Sequence, residues 1–246
     1  MKTVLGKIRR CDEEYHLFAP GDRVAIGVSG GKDSMLLLKA LSLYRYVRHG
    51  DFSLQAITLT SGKKPDTSAL EAYAAEVGVP IHIEHTDIYE ILFDIRKDKH
   101  PCALCAKMRR SILCQRAQQL GCNKLALAHN REDVLETFLM SLIFEGRLHT
   151  FHPKTLMSKT GVTVIRPMVY VPERHVIHMQ RELELPILKN PCPANGYTKR
   201  EEMKQWIYEL ARRYPTLEES MLGALRNYKQ YALWEPVEEE SSETRS

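Results

Sequence analysis

Apolar residues recur along this chain in two alternating rhythms. Short apolar runs at Val24–Val28, Leu54–Leu59, Ile81–His85, Leu125–Ala128 and Val162–Ile165 have the length and composition of strands. Between them apolar positions fall at helical spacing. Leu37, Leu41 and Tyr44 share one face, as do Leu70, Tyr73, Ala74 and Val77. Val134, Leu135, Phe138, Leu139 and Leu142 form a third stripe, expected to face inward. Strands alternating with helices predict an α/β fold, a doubly wound and mainly parallel sheet of five strands. Ligands of such sheets gather beyond the carboxyl ends of the strands.

After Ile165 the rhythm becomes helical. Pro172-Glu173 opens a helix that turns Val176, Met179 and Leu183 inward, and a second helix is expected from about Thr198 to Arg213 after the turn Asn190-Pro191-Cys192-Pro193. Two further helical stretches follow. The expected organisation is an N-terminal segment over 1–20, an α/β domain over 21–170, a C-terminal helical extension over 171–234 and a disordered, Glu- and Ser-rich tail over 235–246.

Composition changes this picture little. The apolar fraction of 43% supplies a core, and a net charge of +4 permits an anionic partner without requiring one. No apolar run is long enough for a transmembrane helix, so no membrane association is expected. The segment Met1 to Asp12 lacks the apolar centre of a secretory signal, which points to a cytoplasmic location with reduced thiols. The six cysteines are therefore better read as metal ligands or spectators than as disulfides.

The chemistry concentrates after the first strand. In Ser29-Gly30-Gly31-Lys32-Asp33-Ser34 the glycine pair allows a sharp turn, and its amides with the following helix N-terminus form an anion site. Lys32 adds charge, and the Ser29 and Ser34 hydroxyls are candidate donors to phosphate. A Walker A loop is excluded because Ile26 and Asp33 occupy its required Gly and Ser/Thr positions. The dinucleotide fingerprint fails at Ser29. Asp33 beside phosphates makes sense with Mg²⁺ or a positive field nearby. Asp133, in His129-Asn130-Arg131-Glu132-Asp133 after the fourth strand, is a second candidate for metal or substrate chemistry, although Glu132 and Asp133 also suit a plain helix start.

Cys102-Ala103-Leu104-Cys105 places two thiols within reach of one metal at the start of a helix that continues through Lys107, Arg109 and Arg110. A lone CxxC suits zinc, an iron–sulfur cluster or a redox pair. Cys192, flanked by prolines, is a natural third ligand, which would leave one metal position open. Cys114 and Cys122 read as core or spectator residues. Basic residues cluster at Lys63-Lys64, Lys97 to His100, Lys107 to Arg110 and Lys199-Arg200, and Tyr197 adds an aromatic. Most single lysines read as solvated helix faces, but the run with Lys107, Arg109 and Arg110 adjoins the thiol site and is favoured as an RNA contact.

Ser29 to Ser34 after a first strand resembles the PP-loop of N-type ATP pyrophosphatases, which implies an adenine-nucleotide-hydrolase-like fold and cleavage of ATP to AMP and pyrophosphate. With the CxxC and Pro191-Cys192 the chain is similar to the tRNA 2-thiocytidine synthetases (TtcA-like enzymes) from about Gly21 to Asn227. Further matches are Met108-Arg109-Arg110, Leu125 to His129, Arg131-Glu132-Asp133, Pro153-Lys154 and Ile165-Arg166-Pro167. The resemblance implies a 4Fe–4S cluster on Cys102, Cys105 and Cys192, sulfur from a cysteine desulfurase, and a homodimer. It implies that ATP, bound by the loop and His129, adenylates O2 of a tRNA cytidine before sulfur displaces AMP. Three positions depart from the pattern: Thr60 where Asp is common, Asn130 for a second His, and Asn195 for a second CxxC cysteine. They motivate a rival reading with another nucleoside or a small molecule as acceptor. The residues also permit amide formation or lysine ligation by the same loop, or a zinc-stabilised RNA-binding module without catalysis.

Overall fold

A computed structural model of the chain describes residues 1–61, 65–95, 101–188 and 199–230. Six strands form one sheet: β1 (Arg23–Gly27), β2 (Ser53–Ser61), β3 (Ile81–Thr86), β4 (Lys124–Ala126), β5 (Lys154–Leu156) and β6 (Thr163–Ile165). Their order is β3-β2-β1-β4-β6-β5, parallel throughout except for β5, which runs antiparallel to β6. The mainly parallel α/β sheet predicted from the sequence is present, with one strand more than expected. β5 has three residues, none of them buried, so it carries no apolar pattern; backbone pairing to β6 alone defines it.

The strand order reverses direction between β1 and β4, where Val24, Ala25 and Ile26 stand beside Lys124, Leu125 and Ala126. At such a switch point the connections leave toward opposite faces and open a crevice at the carboxyl ends. Here those ends lead into the loop at Ser29–Gly31 and the turn at His129–Asn130. Topology alone thus brings together two segments that lie far apart in sequence.

Helix α1 (Lys2–Tyr15) is not evident in the apolar pattern, because only Val4, Ile8 and Cys11 mark its buried stripe among many charges. α1 packs on α2 (Lys32–Val47), whose apolar residues from Met35 to Tyr44 are buried. α6 (Glu173–Glu182) also packs on α2, burying Val176 and Met179 while Leu183 stays partly exposed. The other face of the sheet is covered by α4 (Pro101–Gln119). Leu113, Cys114 and Ala117 join Ala25, Ile57, Leu125 and Val164 in one core, with Cys122. Burial pushes the thiols of Cys114 and Cys122 up, and that of Cys11 to about 12.

Helices α3 (Ser68–Glu76) and α5 (Arg131–Glu145) complete this layer set. The inward stripe expected on α5 holds for Val134 and Leu135 but not for Leu142, which is 44% exposed beside Ile143 and Phe144. Periodicity reveals which residues share a face, but not how far the covering layer extends. The chain divides into two compact units, Met1–Lys204 and the residues from Gln205 onward, with the boundary inside α7 (Lys199–Arg213). The second unit contains α8 (Leu217–Arg226). Among the described residues no helix is long and apolar enough to cross a membrane. The tail expected over 235–246 lies outside the described residues.

A buried ion pair fixes the entry to β1. Lys124 donates to Asp22 and to the carbonyl of Leu17, while Asp22 also accepts from the amide of Ala19 and the side chain of Asn123. Burial alone would raise the Asp22 carboxyl, but these donors outweigh it and hold the group below its usual range. Asp22→Ala strands a buried ammonium and is expected to cost about 3–5 kcal/mol in urea unfolding, most of it recovered when Lys124→Met is added. The Asp22 contribution is present above about pH 4 and is lost as pH falls through its depressed folded value.

Candidate active site

The glycine loop leaves β1 and ends at Gly31, which caps α2 with extended backbone and no side-chain cap. Gly30 adopts φ +79°, and a Cβ there would lie 2.8–2.9 Å from side-chain atoms of Leu188. The amide of Leu188 donates to the Gly30 carbonyl at 3.0 Å, so its segment lies directly against the loop. Both the backbone conformation and the packing therefore require glycine. Ser34 Oγ donates to the Gly31 carbonyl at 2.9 Å and accepts from the Ser29 amide at 3.1 Å. That hydroxyl shapes the loop from inside. The first amides of α2 lack helical acceptors and supply an anion site with the dipole behind them.

Acidic groups converge from two helix starts. Asn130 caps α5 in a reciprocal box, its side chain accepting from the Asp133 amide while Asp133 accepts from the Asn130 amide at 2.9 Å. The same Asn130 donates through Nδ2 to Asp33 at 2.8 Å. One residue thus links both candidate carboxylates, Asp33 through its side-chain amide and Asp133 through its backbone N–H, and Asn130, noted in the sequence only as a departure, is itself a site residue. Lys32 pairs with Asp33 at 2.8 Å and Glu173 at 3.0 Å, and Lys204 pairs with Glu173 at 2.8 Å. Arg200 reaches Asp133 at 3.4 Å and Glu136 at 3.1 Å.

Burial sets the protonation of this network. Burial would lower Lys32, yet Asp33 and Glu173 hold its ammonium well above the ordinary value. Asp133 is raised, first by burial and also by Asp33, against the opposing pull of the Asn130 amide and Arg200. Glu136 is pushed up to about 7 by burial and by Asp133. Both carboxylates at the loop, Asp33 and Asp133, line a cavity of about 370 Å³. Mg²⁺ is commonly held by one or two carboxylates together with phosphate and water, a donor set this pair fits.

The opposite wall of that cavity is cationic and aromatic. Arg109 and Arg110 of α4 line it with His129, Phe151 and Arg166. His129 packs at a tilt against Phe151, with ring centres 4.7 Å apart, and the Arg166 guanidinium lies 4.9 Å from the centre of the same phenyl ring. Burial, reinforced by Arg166, Arg200 and Arg110, lowers His129 to about 3, so the imidazole is neutral at physiological pH. A second cavity of about 180 Å³ adjoins it, sharing Ser29, Gly31, Leu59 and Arg109. It is lined by Thr58, Thr60, Thr86, Ile88 and Tyr89, with no carboxylate among its described lining residues. Thr60 there bonds His85 at 3.1 Å.

Cys102 and Cys105 sit in the first turn of α4, exposed and half-buried respectively. They stand four residues before Ala106 and Arg109, both of which line the large cavity, so the thiols share that helix face. Two accessible thiols one turn apart at a helix N-terminus suit a thiolate-bound metal group, in contrast to Cys11, Cys114 and Cys122 in the interior. Cys192, Asn195, Tyr197, Lys63, Lys64 and the stretch Lys97–His100 lie outside the described residues. Lys107 is exposed and does not line the cavity, unlike Arg109 and Arg110.

Glu136, Glu173, Lys204 and Leu188 also build the site outside any motif, and Arg166, part of the matched run Ile165-Arg166-Pro167, joins them although that match does not mark it as a site residue. Two leave a signal in the sequence. Glu136 interrupts the apolar stripe of α5, and Arg166 stands directly after a strand's carboxyl end.

A model of the PP-loop domain family matches residues 6–209. The tRNA-cytidine(32) 2-sulfurtransferase of Geobacter sulfurreducens is 38% identical over 233 residues, covering 92% of this chain and 90% of that protein. Its counterpart from Verminephrobacter eiseniae is 35% identical over 230 residues, covering 92% and 72%. Among solved structures, the U34-tRNA thiolase NcsA from Methanococcus maripaludis, determined with its 4Fe–4S cluster, is 27% identical with a TM-score of 0.75, covering 94% of this chain and 80% of that one. An ammonia-dependent NAD synthetase from Campylobacter jejuni, 16% identical with a TM-score of 0.50 over 96% and 98%, shares the fold alone.

The depressed His129 value has a measurable consequence. Unfolded imidazole takes up its proton near pH 6.5, whereas the folded group resists protonation down to about 3. Between those values the unfolded chain binds more protons, so stability rises with pH there and is lost as pH falls. This group is expected to cost about 1.4 kcal/mol per pH unit below that upper value, and His129→Gln removes the component. Urea unfolding of both proteins from about pH 7 to 5 measures it; equal slopes would mean that His129 is not held neutral.

Proposed function

The chain belongs to the PP-loop domain family, and from that premise we propose that it is an ATP-dependent tRNA sulfurtransferase that replaces O2 of a cytidine with sulfur. The observation that carries this reading is a single cavity with the glycine loop and its two carboxylates on one side and the thiol-bearing face of α4 on the other. Activation and sulfur delivery need such adjacency, since the adenylated base must meet sulfur before water.

The loop amides and Lys32 bind the ATP phosphates, with Asp33 and Asp133 holding Mg²⁺ against them. The small threonine-lined cavity beyond Leu59 receives the adenosine. Attack of the cytidine O2 on the α-phosphorus forms one O–P bond and expels pyrophosphate with the electron pair of the other. His129 contacts the reacting groups as a neutral imidazole, and so neither adds charge nor takes up a proton at working pH. Arg109 and Arg110, with Lys107 at the rim, take phosphates of the tRNA. Cys102, Cys105 and Cys192 would hold a 4Fe–4S cluster, which supplies the sulfur chemistry when bound. The sulfur originates from a cysteine desulfurase in the cytoplasm, and the enzyme acts as a homodimer.

Two variants separate the halves of the reaction. Asp33→Asn is expected to lower tRNA-stimulated pyrophosphate release by about 10²–10³. Cys102→Ser is expected to leave that release intact while abolishing thiolation and the iron absorbance of anaerobically purified protein. Mass spectrometry of nucleosides from bulk tRNA, with and without the gene, identifies the base. A change in 2-thiouridine instead of 2-thiocytidine would move the acceptor to uridine, as in the U34 thiolase relative. Bound zinc with no pyrophosphate release would favour an RNA-binding module.

A further inference from the structure

Arg166 is a buried cation, 3% exposed, with no anionic partner among the described residues. Its guanidinium makes one hydrogen bond, from Nη1 to the His152 carbonyl at 2.6 Å, while Nε is buried with no partner. One face rests on Phe151. Burial and the like charge of Arg110 pull its value down to about 10, which still leaves it charged at neutral pH. An uncompensated charge in such a position weakens the fold, and it is retained where a counter-charge arrives with a ligand.

The surroundings narrow the ligand. Arg166 lines the same cavity as Ser29, Gly31 and Asp33, so it faces the space already bounded by the phosphate-binding loop. Arg110 lines that cavity too, but from an exposed position suited to a nucleic-acid backbone. The carboxylates of the acidic wall pair with Lys32, Arg200 and Lys204, and among the described residues none of them pairs with Arg166. A guanidinium fork fits two non-bridging phosphoryl oxygens.

We infer that Arg166 is a catalytic residue that binds the phosphoryl group of AMP as that group passes from ATP to the acceptor oxygen. This rests on the adenylation chemistry proposed above. When the acceptor carbonyl oxygen bonds to the α-phosphorus and the bond to pyrophosphate breaks, the non-bridging oxygens keep their negative charge. Arg166 meets those oxygens before, during and after transfer, whereas the loop amides release pyrophosphate. The site therefore holds the adenylated acceptor by its phosphate while sulfur attacks the ring carbon.

The test uses the full chain with AMP, inorganic pyrophosphate and unmodified tRNA as separate probes. Arg166→Met is expected to be at least as stable as wild type without ligand, because it removes an unpaired buried charge. Its AMP affinity by calorimetry should fall about ten- to hundredfold, with pyrophosphate and tRNA affinities within about twofold of wild type. Arg110→Met should show the converse, weaker tRNA binding with AMP unchanged. Arg166→Gln, which keeps a donor for the His152 carbonyl, should match Arg166→Met in AMP binding. Equal AMP affinity in wild type and both Arg166 variants would overturn the inference alone. So would loss of tRNA affinity with AMP binding retained, which would assign the site to an RNA phosphate. Marked destabilisation of Arg166→Met would show a structural role. Failure of the wild type to bind ATP or AMP at all would overturn the inference together with the adenylation reading.

Discussion

Two carboxylates at the ends of adjacent parallel strands repel each other, and much of the site answers that repulsion. Asp33 and Asp133 come together because the strand order reverses between β1 and β4. Asn130 then binds both, donating to one with its amide nitrogen and to the other with its backbone. Lys32 and Arg200 supply opposite charge from either side, and Glu173 and Glu136 in turn are bound by Lys204 and Arg200. A side-chain amide at position 130 can cap the helix through its oxygen and donate to Asp33 through its nitrogen without adding a charge of its own. The substitution relative to the family pattern thus has a structural logic in this chain.

The cavity is polarised as a result. Acidic groups gather beside the glycine loop, and arginines gather on the wall made by α4 and the segment after β6. A neutral imidazole and a phenyl ring line the same cavity, the phenyl ring against Arg166. Charges held in place by the fold need no reorganisation when charge moves past them. In the chemistry proposed here the developing negative charge goes to pyrophosphate at the loop, where the amides, Lys32 and the helix N-terminus lie, while the arginine wall meets the phosphoryl group that passes to the acceptor.

Contiguous chemistry is the legible part of the sequence. The loop Ser29–Ser34, the pair Cys102 and Cys105, and the turn His129–Asp133 each announce themselves by local spacing, and each falls at an element start. Strand and helix alternation likewise exposes the sheet, because burial on both faces leaves long apolar runs. What stays hidden depends on partners distant in the chain. Glu173 and Lys204 are ordinary surface residues until folding places them around Lys32. α1 and β5 escape notice for a related reason: one is mostly polar, the other too short, and both are defined by what they pack or pair against. Asp22 and Lys124, a hundred residues apart, form their buried pair only in the folded sheet.

The placement of the cysteines also decides how the protein meets air and electrophiles. Cys11, Cys114 and Cys122 are shielded, and burial keeps them in the unreactive thiol form. Cys102 and Cys105 are the ones open to solvent among the described residues. Peroxide or an alkylating reagent would therefore mark this pair first, long before the fold suffered. A preparation can lose its chemistry while keeping its melting curve, and the state of those two sulfurs reports the loss sooner than any measure of unfolding.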